Sequence, residues 1–268
     1  MKLFDYSGNR FYRYALWIGG CWFALTLGLI LGFYIWSPHV VDQFNRVIAE
    51  SSDNTVIYDR NNQVVATVEG LEDRQTISIE HIHPYLQKAV VAVEDRRFFT
   101  HRGLDPIRLF GAVWANLQSM AYYQGASTIT QQLVKLTLLS PERTLTRKIK
   151  EVFMSVALEL EFSKLKLLEF YLNRVYLGNG LYGVEKASRA YFGKSASSLE
   201  LDEAVFLAAL IKKPEGYLTY PEGKVSPKSP FLPLELLTDL NKRRRLVLSS
   251  LGNLGWVSEE ELNKAING

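Results

Sequence analysis

TLTRKIKEVFMSVALELEFSKLKLLEFYLNRVYLG, from Thr144 to Gly178, holds two helical periods in succession, and they decide the class of the fold. Leu145, Ile149, Val152, Phe153, Val156 and Leu160 recur as one apolar stripe, which predicts a helix from near Thr144 to about Glu161. Ser163 then reads as the N-cap of a second helix that turns Leu165, Leu168, Leu172 and Val175 inward and stops at Gly178. Downstream, Ser197 and Glu200 fit a capping box for a helix through Ala204, Leu207, Ala208 and Ile211 that ends before Pro214. Upstream, Leu86, Ala89, Val90 and Val93 follow His83-Pro84 at helical spacing and lead to Glu94-Asp95. A mainly α-helical body is expected.

Outside this body the signals change. Val56-Ile57-Tyr58 and Val64-Val65-Ala66-Thr67-Val68 flank Arg60-Asn61-Asn62-Gln63, which predicts a small β-hairpin around a turn where Asn tolerates positive φ. Pro221 to Pro233 reads as a loop before a helix around Leu234 to Leu251, and the run Lys242-Arg243-Arg244-Arg245 on it reads as a solvated face. From Tyr14 to Trp36 the 23 residues carry no charge and reach about 35 Å as a helix, enough to cross a bilayer. The run is longer than a signal-peptide core and closes in Phe33, Tyr34, Trp36 and Pro38, so a retained anchor is expected. Lys2, Arg10 and Arg13 precede it, which places the N-terminus in the cytoplasm and the rest of the chain outside.

With 268 residues and 47% hydrophobic content, the chain supports one sizeable folded domain plus an appendage, not a disordered tract. A formal charge of +3 and a pI near 8.8 are only mildly basic and point to no nucleic-acid partner. The lone Cys21 falls inside the apolar run, so no intramolecular disulfide can form.

Two glutamates stand in dense polar segments. Glu94 ends an apolar helical stretch next to Asp95, Arg96, Arg97 and His101; partial burial there suits a carboxylate to proton transfer, while pairing with Arg96 or Arg97 is the plainer alternative. Phe98 and Phe99 read as core rather than ligand platform, and His101 as capping its loop. Gly125-Ala126-Ser127-Thr128-Ile129-Thr130-Gln131-Gln132 crowds small residues and side-chain donors into one span suited to sugar hydroxyls or phosphate, with Lys135 one turn beyond. A Ser/Thr N-cap explains one hydroxyl of this set. Arg143, Arg147, Lys148 and Lys150 bring four cations up to Glu151, an arrangement suited to a pyrophosphate and a carboxylate that binds metal or orients a leaving group.

In order along the chain, EDRRFFTHRG from Glu94, GASTITQQLVK from Gly125, RKIKE from Arg147, LLEFYLNRVYLGNGLYGVEKASRAYFGK from Leu167 and the following LDEAVFLAALIKKP resemble the five motifs of the peptidoglycan glycosyltransferase family, from about Val56 to Pro221. This domain occurs in class A penicillin-binding proteins and in monofunctional transglycosylases. The resemblance implies a lysozyme-like α fold of head and jaw, with the site in the cleft between them. It implies transfer of a lipid-linked glycan onto lipid II, with release of undecaprenyl pyrophosphate. On the matching positions, Glu94 is the base and Glu151 assists at the pyrophosphate with a divalent metal, Mg²⁺ or Mn²⁺. Lys135 and Arg143 hold phosphates, and Ser127, Thr128, Gln131 and Gln132 form the donor wall. Asp95, Phe98, His101, Gly103, Gly125, Thr130, Arg147 and Lys148 complete the substrate-binding set within the same motifs. The segment Leu109 to Trp114 falls where the family has its membrane-touching jaw, although it also reads as a core helix.

The expected organisation is a cytoplasmic N-terminus over 1–13, an anchor over 14–36, a linker with the β-hairpin over 37–80, the glycosyltransferase domain over 81–221 and a C-terminal loop and helical tail over 222–268. Leu136 departs from the family's usual Asn and Asn62 from its usual Gly. The chain reads as either a monofunctional enzyme or a shortened bifunctional one, with a transpeptidase or other cell-wall synthesis proteins as partners. A glycan-cleaving hydrolase and a catalytically weak membrane scaffold are the alternatives from other classes.

Overall fold

The computed structural model describes residues 7–50, 55–58, 64–68, 75–119, 127–142, 144–215 and 238–267. Helix α1, Ser7–Glu50, carries the apolar run and continues through Pro38 instead of ending with it. Its stretch Arg13–Ala49 is long and apolar enough to span a membrane. An internal proline costs a helix about 3 kcal/mol. Beyond Pro38, however, Val40 and Phe44 are buried in the core, each burial contributing about 1.5–3 kcal/mol, which offsets the loss. Phe44 packs against Phe162 and Phe170, at 5.6 and 5.2 Å between ring centroids, and Arg174 donates to the Val47 carbonyl at 3.2 Å. The apolar helix therefore runs directly into the body.

The body is helical. Helix α2, Pro84–Glu94, starts where the His83 ring accepts from the Tyr85 N–H at 3.2 Å and Pro84 occupies the first turn, where a missing N–H costs nothing. Helices α3, Pro106–Ser119, α4, Ile129–Thr137, and α5, Leu145–Glu161, follow. After them come α6, Lys164–Leu172, α7, Val184–Phe192, and α8, Leu201–Leu210. Two more, α9, Thr238–Asn253, and α10, Glu259–Asn267, close the chain. Helix α8 is apolar almost all round and is packed by α2, α7 and α9, as a core helix must be. Helix α4 lies against α5 and α6, and α1 against α5.

Several sequence expectations need correction. The β structure stays outside the helical body: among the described residues the body from Ile79 onward contains helices and two isolated bridges, and no strand. The ladder of Thr55–Tyr58 (β1) with Val64–Val68 (β2) is a separate two-stranded ribbon whose register slips between Ile57 and Tyr58. The turn expected at 60–63 lies outside the described residues. The tail over 221–233 lies outside them as well.

Helix α5 buries Glu151, Met154, Ser155, Ala157 and Leu158, whereas Leu145 and Ile149 of the expected stripe are 86% and 57% exposed. Helix α5 packs against both α4 and α1, and Phe153 of its partly exposed apolar side meets Phe33 of α1 at 6.1 Å between ring centroids. The second expected helix stops at Leu172, short of Gly178, because the Asn173 side chain turns to the extended segment before α2. It accepts from the Ile77 N–H at 3.0 Å and donates to the Ile77 carbonyl at 2.8 Å. Ser197 lies in a 3₁₀ turn, and the capping box of α8 is Glu200 with Glu203.

The turn after α6 depends on Gly183. Its φ is +82°, and a Cβ there would lie 2.8 Å from the Asn173 carbonyl oxygen. Gly183→Ala is expected to lower Tm, since strain of about 1–3 kcal/mol in the backbone adds to a backbone clash; an unchanged thermal melt would count against this account of the turn.

Candidate active site

Helix α2 ends by delivering two adjacent carboxylates, and their surroundings differ. Asp95 is fully buried. Its oxygens meet His101 Nε2 at 3.0 and 3.1 Å, and one also accepts the Ile129 N–H at 2.9 Å. That N–H belongs to the unpaired set at the start of α4, where the helix end favours negative charge. Asp95 thus ties the loop after α2 to α4. Glu94, also buried, turns its carboxylate to the other side. One oxygen accepts from Gln132 Nε2 at 3.0 Å and the other from Arg243 Nη2 at 2.8 Å, while its main-chain carbonyl accepts from Arg108.

The polar segment before α4 serves both the fold and the site. Thr128 and Gln131 form a reciprocal capping box, and the Thr128 hydroxyl donates to the Gly103 carbonyl at 2.7 Å. Gly103 has φ +80°, and a Cβ there would come within 2.9 Å of the Ser155 backbone, so the loop can approach α5 only as glycine. Thr130 donates to Glu159. Phe98 is wholly buried, edge-on to Phe99 and His101, with the Lys164 ammonium 4.4 Å above its ring. Thr128, Thr130, Gln131, Phe98, Gly103, Asp95 and His101 therefore hold the site's frame. Ser127, Gln132 and Lys135 are the accessible members of this segment.

Glu151 lies buried one turn into α5 between two cations. Lys148 contacts one oxygen and Arg147 the other at 3.5 Å, and the Lys148 ammonium also donates to Ser127 Oγ at 2.9 Å. A cationic surface thus runs from the start of α5 to the start of α4, with Lys135 exposed on the last turn of α4. Gly125 and Arg143 lie outside the described residues. Among the described residues no three His, Cys, Asp or Glu side chains cluster as a metal site.

The comparisons with known proteins bear on this arrangement. The family model described as Transglycosylase matches residues 61–250, well over half of the chain. The chain belongs to the transglycosylase family. It is 37% identical to penicillin-binding protein 1A of Streptococcus pneumoniae over 91% of its own length and 32% of that protein's. It is 41% identical to penicillin-binding protein 1A of Aquifex aeolicus over 79% and 27%. Penicillin-binding protein 1A of Escherichia coli is 36% identical over 95% and 28%. The chain thus spans between about a quarter and a third of the length of these relatives. Against the solved penicillin-binding protein 1A of Haemophilus influenzae the TM-score is 0.39, with 20% identity over 81% of this chain and 20% of that one.

The transglycosylase match takes in α9, and with it a residue that the sequence motifs do not mark. Sequence alone places Arg243 on a solvated face. Instead it reaches Glu94 from 149 residues away, and burial pushes the neighbouring Arg244 guanidinium below its usual pKa, opposed by Asp202. The signal that could have found it is spacing: Val247 and Leu251, four and eight residues on, are fully buried, so Arg243 shares the inward face. Lys242 and Arg245 are exposed, as expected. Tyr171 lies within the motif segment from Leu167 but is not among the expected site residues; it is fully buried in α6, and its hydroxyl donates to Gln132 Oε1 at 3.0 Å. Burial first, then the charges of Glu94 and Asp95, raise its pKa well above 10.

Proposed function

We propose that this transglycosylase polymerises lipid II into glycan strands, with Glu94 as the general base. The observation that carries the reading is the unequal setting of the two glutamates. Glu94 keeps one protein partner per oxygen, from Gln132 and Arg243, and each carboxylate oxygen retains a lone pair for a substrate hydroxyl. Glu151 is neutralised by Arg147 and Lys148. In the proposed step, Glu94 removes the proton of the acceptor sugar hydroxyl as its oxygen attacks the donor's anomeric carbon. The anomeric bond to the pyrophosphate breaks, and undecaprenyl pyrophosphate leaves with the bonding electrons. Inversion at that carbon needs no covalent enzyme intermediate. Ser127, Lys135, Arg147 and Lys148 face the departing pyrophosphate, together with Arg143 by its motif position, and preorganised cations stabilise the charge it gains.

A divalent ion, Mg²⁺ or Mn²⁺, belongs to the proposal in one form only. Both oxygens of Glu151 already face cations, so Glu151 does not make a metal site alone and would share an ion with pyrophosphate oxygens. The chemistry such an ion supplies is charge neutralisation on the leaving group.

The setting is membrane-bound in this proposal, with the N-terminus cytoplasmic and the body outside the bacterial inner membrane. The apolar helix α1 leads into the body at Phe33 and Phe153, and α3 exposes Ile107, Phe110 and Trp114, the second at 76%. These faces suit contact with lipid and with lipid-linked substrates, and they set aside the reading of α3 as a core helix. A transpeptidase, as in the penicillin-binding relatives, would cross-link the product.

The deciding experiment gives the purified protein lipid II with and without Mg²⁺, and separately finished glycan. Polymer from lipid II is the expected result; cleavage of glycan without polymer would replace the transferase with a lysozyme-like hydrolase, and neither reaction would leave a scaffold.

A further inference from the structure

Three helices contribute one linked row of hydrogen bonds: Glu94 of α2, Gln132 of α4 and Tyr171 of α6. The chemistry of its ends sets its direction. An ionised carboxylate only accepts, so Gln132 must turn its NH₂ group to Glu94. Its carbonyl then points to Tyr171, and the phenol must donate. Burial keeps that phenol protonated, so its O–H is available to donate to the carbonyl it faces. The partners at its two ends set which way a glutamine amide points. Turned over, Gln132 would aim a carbonyl at Glu94.

We propose that Tyr171 is a positioning residue for the transfer reaction: by donating to Gln132 Oε1, it holds the amide with its N–H groups toward the Glu94 carboxylate. This rests on the reading of Glu94 as the base. Arg243 from α9 holds the other Glu94 oxygen, Arg108 from α3 holds its main-chain carbonyl, and Asp95 faces away into the His101 and Ile129 contacts. The Gln132 amide is therefore held from both ends, by the Glu94 carboxylate that only accepts and by the Tyr171 hydroxyl that donates.

The test is Tyr171→Phe, which keeps the ring and removes the donor. In lipid II polymerisation, kcat should fall about 10- to 100-fold, the scale of a lost hydrogen bond within a charged network, with KM changed by no more than about twofold. In a Gln132→Met background, Tyr171→Phe should add no further loss. The side-chain amide NMR signal of Gln132, assigned by its disappearance in Gln132→Met, should shift in Tyr171→Phe and lose its protection from exchange. An unmoved amide signal, or a full loss of rate on top of Gln132→Met, overturns the proposal. Should Tyr171→Phe not fold, replacement of Tyr171 by fluorotyrosine keeps the volume and strengthens the donor, and the amide signal must then move the opposite way. Wild-type protein that makes no polymer removes the reading of Glu94, whereas the amide signal still decides what Tyr171 does to Gln132.

Discussion

Glu94→Gln is expected to lower lipid II polymerisation by about 10²- to 10⁴-fold, the usual range for removing a general base. Glutamine keeps the size of the side chain, and the loss should therefore appear in kcat, with lipid II still bound. Some stability should go as well, because Arg243 would face a neutral group in a site that is mostly closed to water. A shift of a few degrees in Tm would fit that cost; wild-type polymerisation rates in this variant would remove Glu94 from the role of base. Rate and melting temperature together separate the chemical effect from the structural one.

Asp95→Ala should have the largest effect on stability. The carboxylate is wholly buried and touches two separate segments, the His101 ring and the Ile129 N–H. Removing one partner of such a buried set costs roughly 3–5 kcal/mol, and for a domain of this size Tm should fall on the order of 10 °C. Activity should fall with it, since α4 carries Gln132 and Lys135 and starts at the Asp95 contact. Thermal unfolding in detergent measures this directly, and a melt equal to wild type would show that the loop and α4 are held by something else. Asp95→Asn should lose less, because one oxygen can still accept the Ile129 N–H. Glu94 and Asp95 are neighbours with opposite duties: the first is expected to fail in chemistry and the second in folding.

Much of the site is legible in the chain's own order of residues, for a local reason. Glu94 ends a helix whose apolar spacing is visible from Leu86 to Val93, and Arg147, Lys148 and Glu151 share a single turn of α5. Spacing within one helix is a property of the chain itself. The motif segments also mark Asp95, Thr128, Thr130 and Gln131, but not which of these hydrogen-bond within the protein. A capping box, an ion pair and a ligand contact use the same side chains, and only the partner distinguishes them.

By itself, the sequence determined the helical class, the apolar helix at the N-terminus, the two glutamates with their cations, and membership in the transglycosylase family. All of these follow from periodicity, composition and ordered motifs, which survive without a third dimension. Tertiary structure alone decided which face of α5 is core, that α1 passes through Pro38 into the body, and that Arg243 and Tyr171 converge on Glu94 and Gln132. Those contacts join residues 39 to 149 positions apart. No local pattern encodes a pairing across such distances, because it arises only when helices with several apolar faces choose the packing that buries the most surface while leaving every buried charge a partner.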